Sequence, residues 1–147
     1  MERMIAMIQV ILGGKGSGKT KRLIDLTNDA LKSVHGNIIF VDDDKRYMYD
    51  LRHEIRFVDA SEYPVAYKCS ASEFLSFLCG MLSADFDLSL IAVDAFKKLV
   101  KTPLQDVEME QFFENMEELS EKHHCNFVLS ISAPEEEVPE YIRKYTT

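Results

Sequence analysis

The stretch Gly13-Gly14-Lys15-Gly16-Ser17-Gly18-Lys19-Thr20 constrains this chain more than any other. Four glycines fall within six positions, although glycine adds disorder to an unfolded chain and packs nothing. Their spacing, G-x-x-x-x-G-K-T, lets the backbone curl so that successive N–H groups point inward at phosphate oxygens, while the helix that follows offers its positive N-terminal end. In that arrangement Lys19 reaches the outer phosphates and the Thr20 hydroxyl holds Mg²⁺. The pattern also demands a buried strand before it and a helix after it. Ile5, Ala6, Met7, Ile8, Val10, Ile11 and Leu12 form an almost unbroken apolar run, as expected of a strand covered on both faces. Leu23, Leu26, Ala30, Leu31 and Val34 then make a helical stripe that stops at Gly36. The candidate phosphate-binding residues are Gly13, Gly14, Lys15, Gly16, Ser17, Gly18, Lys19, Thr20 and Lys21.

The rest of the chain alternates in the same way. Residues 37–41 and 88–93 read as buried strands, 55–58 as a short edge strand, and 127–131 as a last buried strand. Ser70 and Glu73 have capping-box spacing and open a short helix with Phe74, Leu75, Leu78, Met81 and Leu82. Thr102, Pro103 and Gln105 mark the start of another helix, with Met109, Phe112, Phe113, Met116 and Leu119 as its buried stripe. A short helix is expected near Tyr141 and Ile142. This order implies an α/β fold in three layers: a mainly parallel sheet of four to five strands with helices on both faces, over residues 1–147 as a single domain. Ligands of such sheets bind beyond the carboxyl ends of the strands. The glycine loop, the run Asp42-Asp43-Asp44, Asp94 and Ser132 all fall at such ends.

A phosphate-binding loop of this kind is paired with a carboxylate at the end of a buried strand, which positions Mg²⁺. Asp94 supplies it, so the expected metal-holding pair is Thr20 and Asp94. The next residue is Ala95. Candidates for catalysis are therefore sought elsewhere: Asp42, Asp43 and Asp44 after the second strand, Ser132 as a polar group near the terminal phosphate, and Glu135 to Glu137 if the tail folds back.

These segments resemble the P-loop NTPase superfamily from the first strand to the fourth. Within it, GGKGSGKTKRLIDL, IIFVDDDKRYMYDL and FVLSISA make the chain similar to short bacterial ATP-binding proteins that are loosely grouped with twitching-motility proteins. Motor function is not carried over, because the sensory domain and the acidic and histidine boxes of the retraction motors have no counterpart here. The core also resembles thymidine kinases of the zinc-containing type, through Asp44-Lys45-Arg46-Tyr47 after the second strand and Asp94 before a helix. Those enzymes, like many ATPases with an extra strand between the loop strand and the aspartate strand, carry a glutamate where this chain has Ala95. Their zinc lobe has no counterpart, so the likeness bears on the fold more than on the reaction.

The bulk properties narrow the function class. In 147 residues the hydrophobic content of 46% and charged content of 29% are ordinary for a globular protein. A net charge of −8 argues against a broad nucleic-acid surface, while Lys15, Lys19, Lys21 and Arg22 cluster at the loop and suit a small polyanion. Cys69, Cys79 and Cys125 are odd in number and far apart, as expected of reduced thiols in a cytoplasm rather than a disulfide or zinc framework. The apolar N-terminal run is too short to span a membrane. No N-K-x-D segment for guanine is present, so Mg²⁺ with ATP (or ADP) is the expected ligand set.

Three functions remain open at this level. The leading expectation is a nucleotide switch or slow ATPase. A small-molecule or nucleoside kinase would use Asp42 to Arg46 to hold an acceptor, and an interaction module would use nucleotide only as a structural ligand. Self-association, or another protein partner, would allow Arg52 or Arg143 to act in a neighbouring subunit.

Overall fold

A computed structural model describes residues 7–146. The expected first-strand residues Ile5 and Ala6, and the lead-in Met1 to Arg3, lie outside the described residues. Five strands form one parallel sheet: β1 (Ile8–Gly13), β2 (Asn37–Asp42), β3 (Arg56–Asp59), β4 (Leu88–Val93) and β5 (Asn126–Ser132), in the order β1-β5-β4-β2-β3. Among the described residues, five α-helices connect and flank them: α1 (Lys19–Ala30), α2 (Ala71–Ala84), α3 (Phe96–Leu99), α4 (Val107–His123) and α5 (Glu140–Arg143). The last strand in sequence thus inserts between the glycine-loop strand and the strand that ends at Asp94.

Side chains on a strand alternate between faces, and here each face has its own core. Ile38 and Phe40 of β2, Leu90 and Ala92 of β4, and Val128 of β5 pack with Leu23 and Ile24 of α1. Ile39 and Val41, Ile91 and Val93, and Phe127, Leu129 and Ile131 pack on the opposite face with α2, α3 and α4. Burial on both faces explains the near-continuous apolar strands. The larger core is aromatic. Phe96 touches Phe74, Phe112 and Phe113 with ring centroids 5.9, 5.6 and 6.4 Å away.

Local chemistry sets most helix ends. The Ser70–Glu73 capping box is made in both directions, at 3.1 and 2.8 Å. The expected start of the fourth helix at Thr102 and Pro103 is displaced to Val107. Thr102 is used instead to accept the Ala71 N–H, and Asp106 takes over as the cap by accepting the Glu108 N–H at 2.9 Å. The tail runs along the free edge of β1, where the Val10 N–H donates to the Tyr145 carbonyl at 2.9 Å. That contact covers an edge that would otherwise present unpaired backbone groups. Cys69 and Cys125 are buried free thiols, whereas Cys79 is exposed. Among the described residues, no helix is long and apolar enough to cross a membrane.

Candidate functional site

The turn between β1 and α1 takes the shape its glycines allow. Gly16 and Gly18 have φ of 79° and 87°, in the left-handed region where a Cβ is strained. The Ser17 N–H closes the turn on the Gly14 carbonyl at 3.2 Å. Gly18 is the N-cap of α1 and gives it no side-chain cap, and the first turn carries no acidic residue. By contrast, α2 and α4 are capped by Ser70 and Asp106. The first N–H groups of α1 therefore keep their hydrogen-bonding capacity and their partial positive charge at the mouth of the loop.

Lys19 lies against this turn, almost buried, with Nζ donating to the Gly14 carbonyl at 2.9 Å. Thr20, one residue on, donates its hydroxyl to an Asp94 carboxylate oxygen at 3.1 Å, across 74 positions of sequence. Asp94 is 4% exposed, and no cation pairs with it among the ion pairs of the described residues. Its other partner is Ser130, whose hydroxyl donates to it at 2.5 Å while accepting the Ala95 N–H at 3.0 Å. A buried carboxylate and a hydroxyl, both hard oxygen donors with no neutralising lysine or arginine, suit Mg²⁺, which keeps several waters and takes few protein ligands. Among the described residues, no group of three or more histidine, cysteine, aspartate or glutamate side chains is placed to hold a metal ion.

Alternation explains why these groups meet. Phe40 and Asp42, Ala92 and Asp94, and Val128 and Ser130 share the α1 face of three neighbouring strands. Ser130 is not singled out by the sequence, because its place beside Asp94 depends on the pairing of β4 with β5. Ser132 is exposed at the end of β5, opposite Gly13, and lines the same cavity. Ala95 adopts φ 55° and turns the chain sharply into α3 immediately after Asp94.

The three aspartates after β2 have different surroundings. Asp42 is 1% exposed, and one of its carboxyl oxygens has no hydrogen-bond partner among the described residues. Burial, the adjoining Asp43 carboxyl and the Asp94 charge push its pKa up to about 9. Asp43 lines the cavity and pairs with Lys98 at 3.8 Å, whereas Asp44 closes its own loop by accepting from the Arg46 N–H and guanidinium. Glu135 to Glu137 are exposed in the tail and do not line the cavity. Arg143 donates to the Glu135 and Val138 carbonyls. The Arg52 side chain is exposed, and its backbone N–H is held by Asn28.

Asp42 has a consequence for stability. Between about pH 4, where the unfolded carboxyl titrates, and about pH 9, the native state binds one more proton than the unfolded state. Stability conferred by that proton is complete below pH 4 and is lost as pH rises towards 9. Asp42→Asn, which keeps the shape of the protonated acid, should flatten this slope. It should stabilise the protein at pH 8 by on the order of 2 kcal/mol or more. Urea unfolding at pH 5 and pH 8 measures both effects.

The cavity that joins these elements has a volume of about 860 Å³. It runs from Lys15, Lys19 and Thr20 past Asp94 and Ser130 to Asp43, Arg46 and Tyr47. That size lies within the range of small-molecule sites.

No protein-family model matches the chain, and no curated protein sequence matches it. Among solved structures, a KaiC-like protein from the hyperthermophilic archaeon Pyrococcus horikoshii OT3 is similar with a TM-score of 0.63. At 15% identity the likeness covers 96% of this chain and 69% of that one, and it shows a shared α/β fold.

Proposed function

We propose that this chain binds Mg²⁺ with ATP at the glycine loop and uses it as a switch or slow ATPase in the cytoplasm. The observation that carries this reading is the hydrogen bond from Thr20 to buried Asp94, which pairs with no cation among the described residues, beside an uncapped helix N-terminus. Residues 13–18 and the first turn of α1 offer N–H groups to the phosphates, Lys19 exchanges the Gly14 carbonyl for a phosphate oxygen, and Lys15 and Lys21 add positive charge at the mouth. Thr20 and Asp94 would hold Mg²⁺, which would supply positive charge against the phosphates, and Ser130 orients the Asp94 carboxylate by its hydrogen bond.

The same residues support slow chemistry. Ala95 offers a methyl group where a base would stand, and Asp42 is buried and does not line the cavity. Asp43 is the carboxylate of this run that faces the cavity, and Lys98 competes for it. The likeness to a KaiC-like protein supports the nucleotide reading at the level of the fold.

The test is the metal dependence of binding. The wild-type protein should bind ATP roughly tenfold or more tightly with Mg²⁺ than with EDTA. In Asp94→Asn that advantage should shrink to about twofold or less. Equal Mg²⁺ dependence in the two proteins would remove Asp94 from the site.

A further inference from the structure

The carboxyl end of the sheet carries two surfaces of opposite charge, each built by the backbone and left open to solvent. The first forms where the segment before α2 meets the segment after α3. Cys69 and Val100 make a parallel bridge, in which the Cys69 N–H donates to the Leu99 carbonyl and the Lys101 N–H to the Cys69 carbonyl, both at 2.8 Å. Alternation along these two segments turns Cys69 and Val100 into the core and leaves Lys68 and Lys101 facing solvent on the same side. Lys68 is fixed in the left-handed region at φ 54°, with its ammonium 5.4 Å from the Tyr67 ring centroid. Lys97 stands behind them with Nζ donating to the Thr102 carbonyl at 2.8 Å, and burial, then the Lys101 charge, lower its pKa. Neither Lys68 nor Lys101 pairs with a carboxylate among the described residues.

The second surface is the single 3₁₀ turn Glu135–Glu137, which follows β5. The Glu137 N–H closes it on the Pro134 carbonyl at 2.9 Å. The Arg143 guanidinium holds the Glu135 and Val138 carbonyls at 2.7 and 3.2 Å, and the Gln105 amide donates to the Glu137 carbonyl. All of these bonds go to backbone oxygens. The turn is therefore fixed while its three carboxylates stay exposed, with no cation paired to them among the described residues. Three adjacent like charges on a fixed turn repel one another, and a cation brought from outside relieves that cost.

We propose that these surfaces are the two halves of one interface: a second copy of this chain seats its Glu135–Glu137 turn on Lys68 and Lys101 and receives the same contact in return. The two surfaces adjoin, because Gln105, which holds the acidic turn, lies four positions after Lys101. They also follow neighbouring strands, β4 and β5, at the same end of the sheet. Adjoining patches of opposite sign at one end are matched by a two-fold rotation, so the contact closes as a dimer instead of running on as a filament. A net charge of −8 repels a second copy from most directions, and the lysine surface is where that repulsion turns to attraction. One exposed ion pair contributes little, whereas the two-fold axis repeats a set of several. The interface stands on charge and geometry and does not depend on the nucleotide reading.

The test is the mass of the full chain in solution by sedimentation equilibrium. At about 100 μM protein the wild type should have twice the mass of one chain in about 50 mM NaCl, and the association should weaken about tenfold or more in about 0.5 M NaCl. The double variant Lys68→Glu/Lys101→Glu should be monomeric at low salt, and so should the triple variant Glu135→Lys/Glu136→Lys/Glu137→Lys. An equal mixture of the two should recover the dimer, because each reversed surface then meets its opposite at both contacts. All five substituted side chains are exposed, and urea unfolding midpoints close to wild type check that the fold is kept. A wild-type protein that is monomeric at low salt overturns the interface. So does a dimer retained by either variant alone, or a mixture that stays monomeric. Binding of a labelled oligouridylate by a monomeric wild type, lost in Lys68→Glu/Lys101→Glu, would assign the lysines to nucleic acid and overturn it as well.

Discussion

Phe96→Ala is expected to cost about 3–5 kcal/mol of folding stability, the range for truncating a fully buried aromatic ring. Phe96 has no exposed surface and sits where three other phenylalanine rings meet, from α2 and α4. The cavity left by its ring would be walled by elements fixed on three sides, so little collapse can offset the loss. Against a typical total of about 5–15 kcal/mol, this one change removes a large fraction of stability. Phe96 also follows Asp94 by two residues, across the left-handed turn at Ala95. Loosening its packing therefore frees the turn that aims Asp94 at Thr20. Urea unfolding of the variant measures the first effect, and a loss under about 1 kcal/mol would mean that the aromatic core is not the anchor described.

Lys19→Ala should lower affinity for Mg·ATP by roughly a hundredfold, or close to 3 kcal/mol. Nζ is held at the Gly14 carbonyl with almost no solvent around it, so the charge is already desolvated and fixed near the loop. A preorganised cation of this kind strengthens its bond to a phosphate and costs little to reorient. Folding stability should change far less than binding. The carbonyl bond is a single hydrogen bond, and removing a nearly buried ammonium without a carboxylate partner offsets its loss.

The distribution of what was legible in sequence follows from the range of each interaction. The glycine loop, the capping box at Ser70 and the strand carrying Asp94 are local patterns, and the structure places all three as local chemistry predicts. Strand order is non-local. Nothing in residues 126–132 states that they insert between β1 and β4, yet that insertion is what brings Ser130 beside Asp94. Ser132 stands out in the sequence because it ends the strand, whereas Ser130 lies within it. Its hydrogen bonds depend on the β4–β5 register, which pairs Val93 with Leu129. The start of α4 was misplaced for a related reason, because Thr102 satisfies a backbone donor of a helix 31 positions earlier. The triple aspartate could not be resolved into roles until burial separated Asp42 from Asp43 and Asp44. Asn28 meets the backbone of residues 50 and 52, a contact that composition and periodicity do not encode.

The most direct test of the account is calorimetric titration of Mg·ATP into the wild-type protein and into Lys19→Ala, after urea unfolding has established that both are folded. The account predicts saturable binding to the wild-type protein with one nucleotide per chain, and loss of roughly a hundredfold in affinity in the variant. Equal affinity in the two proteins, or no binding to the folded wild-type chain, would contradict it.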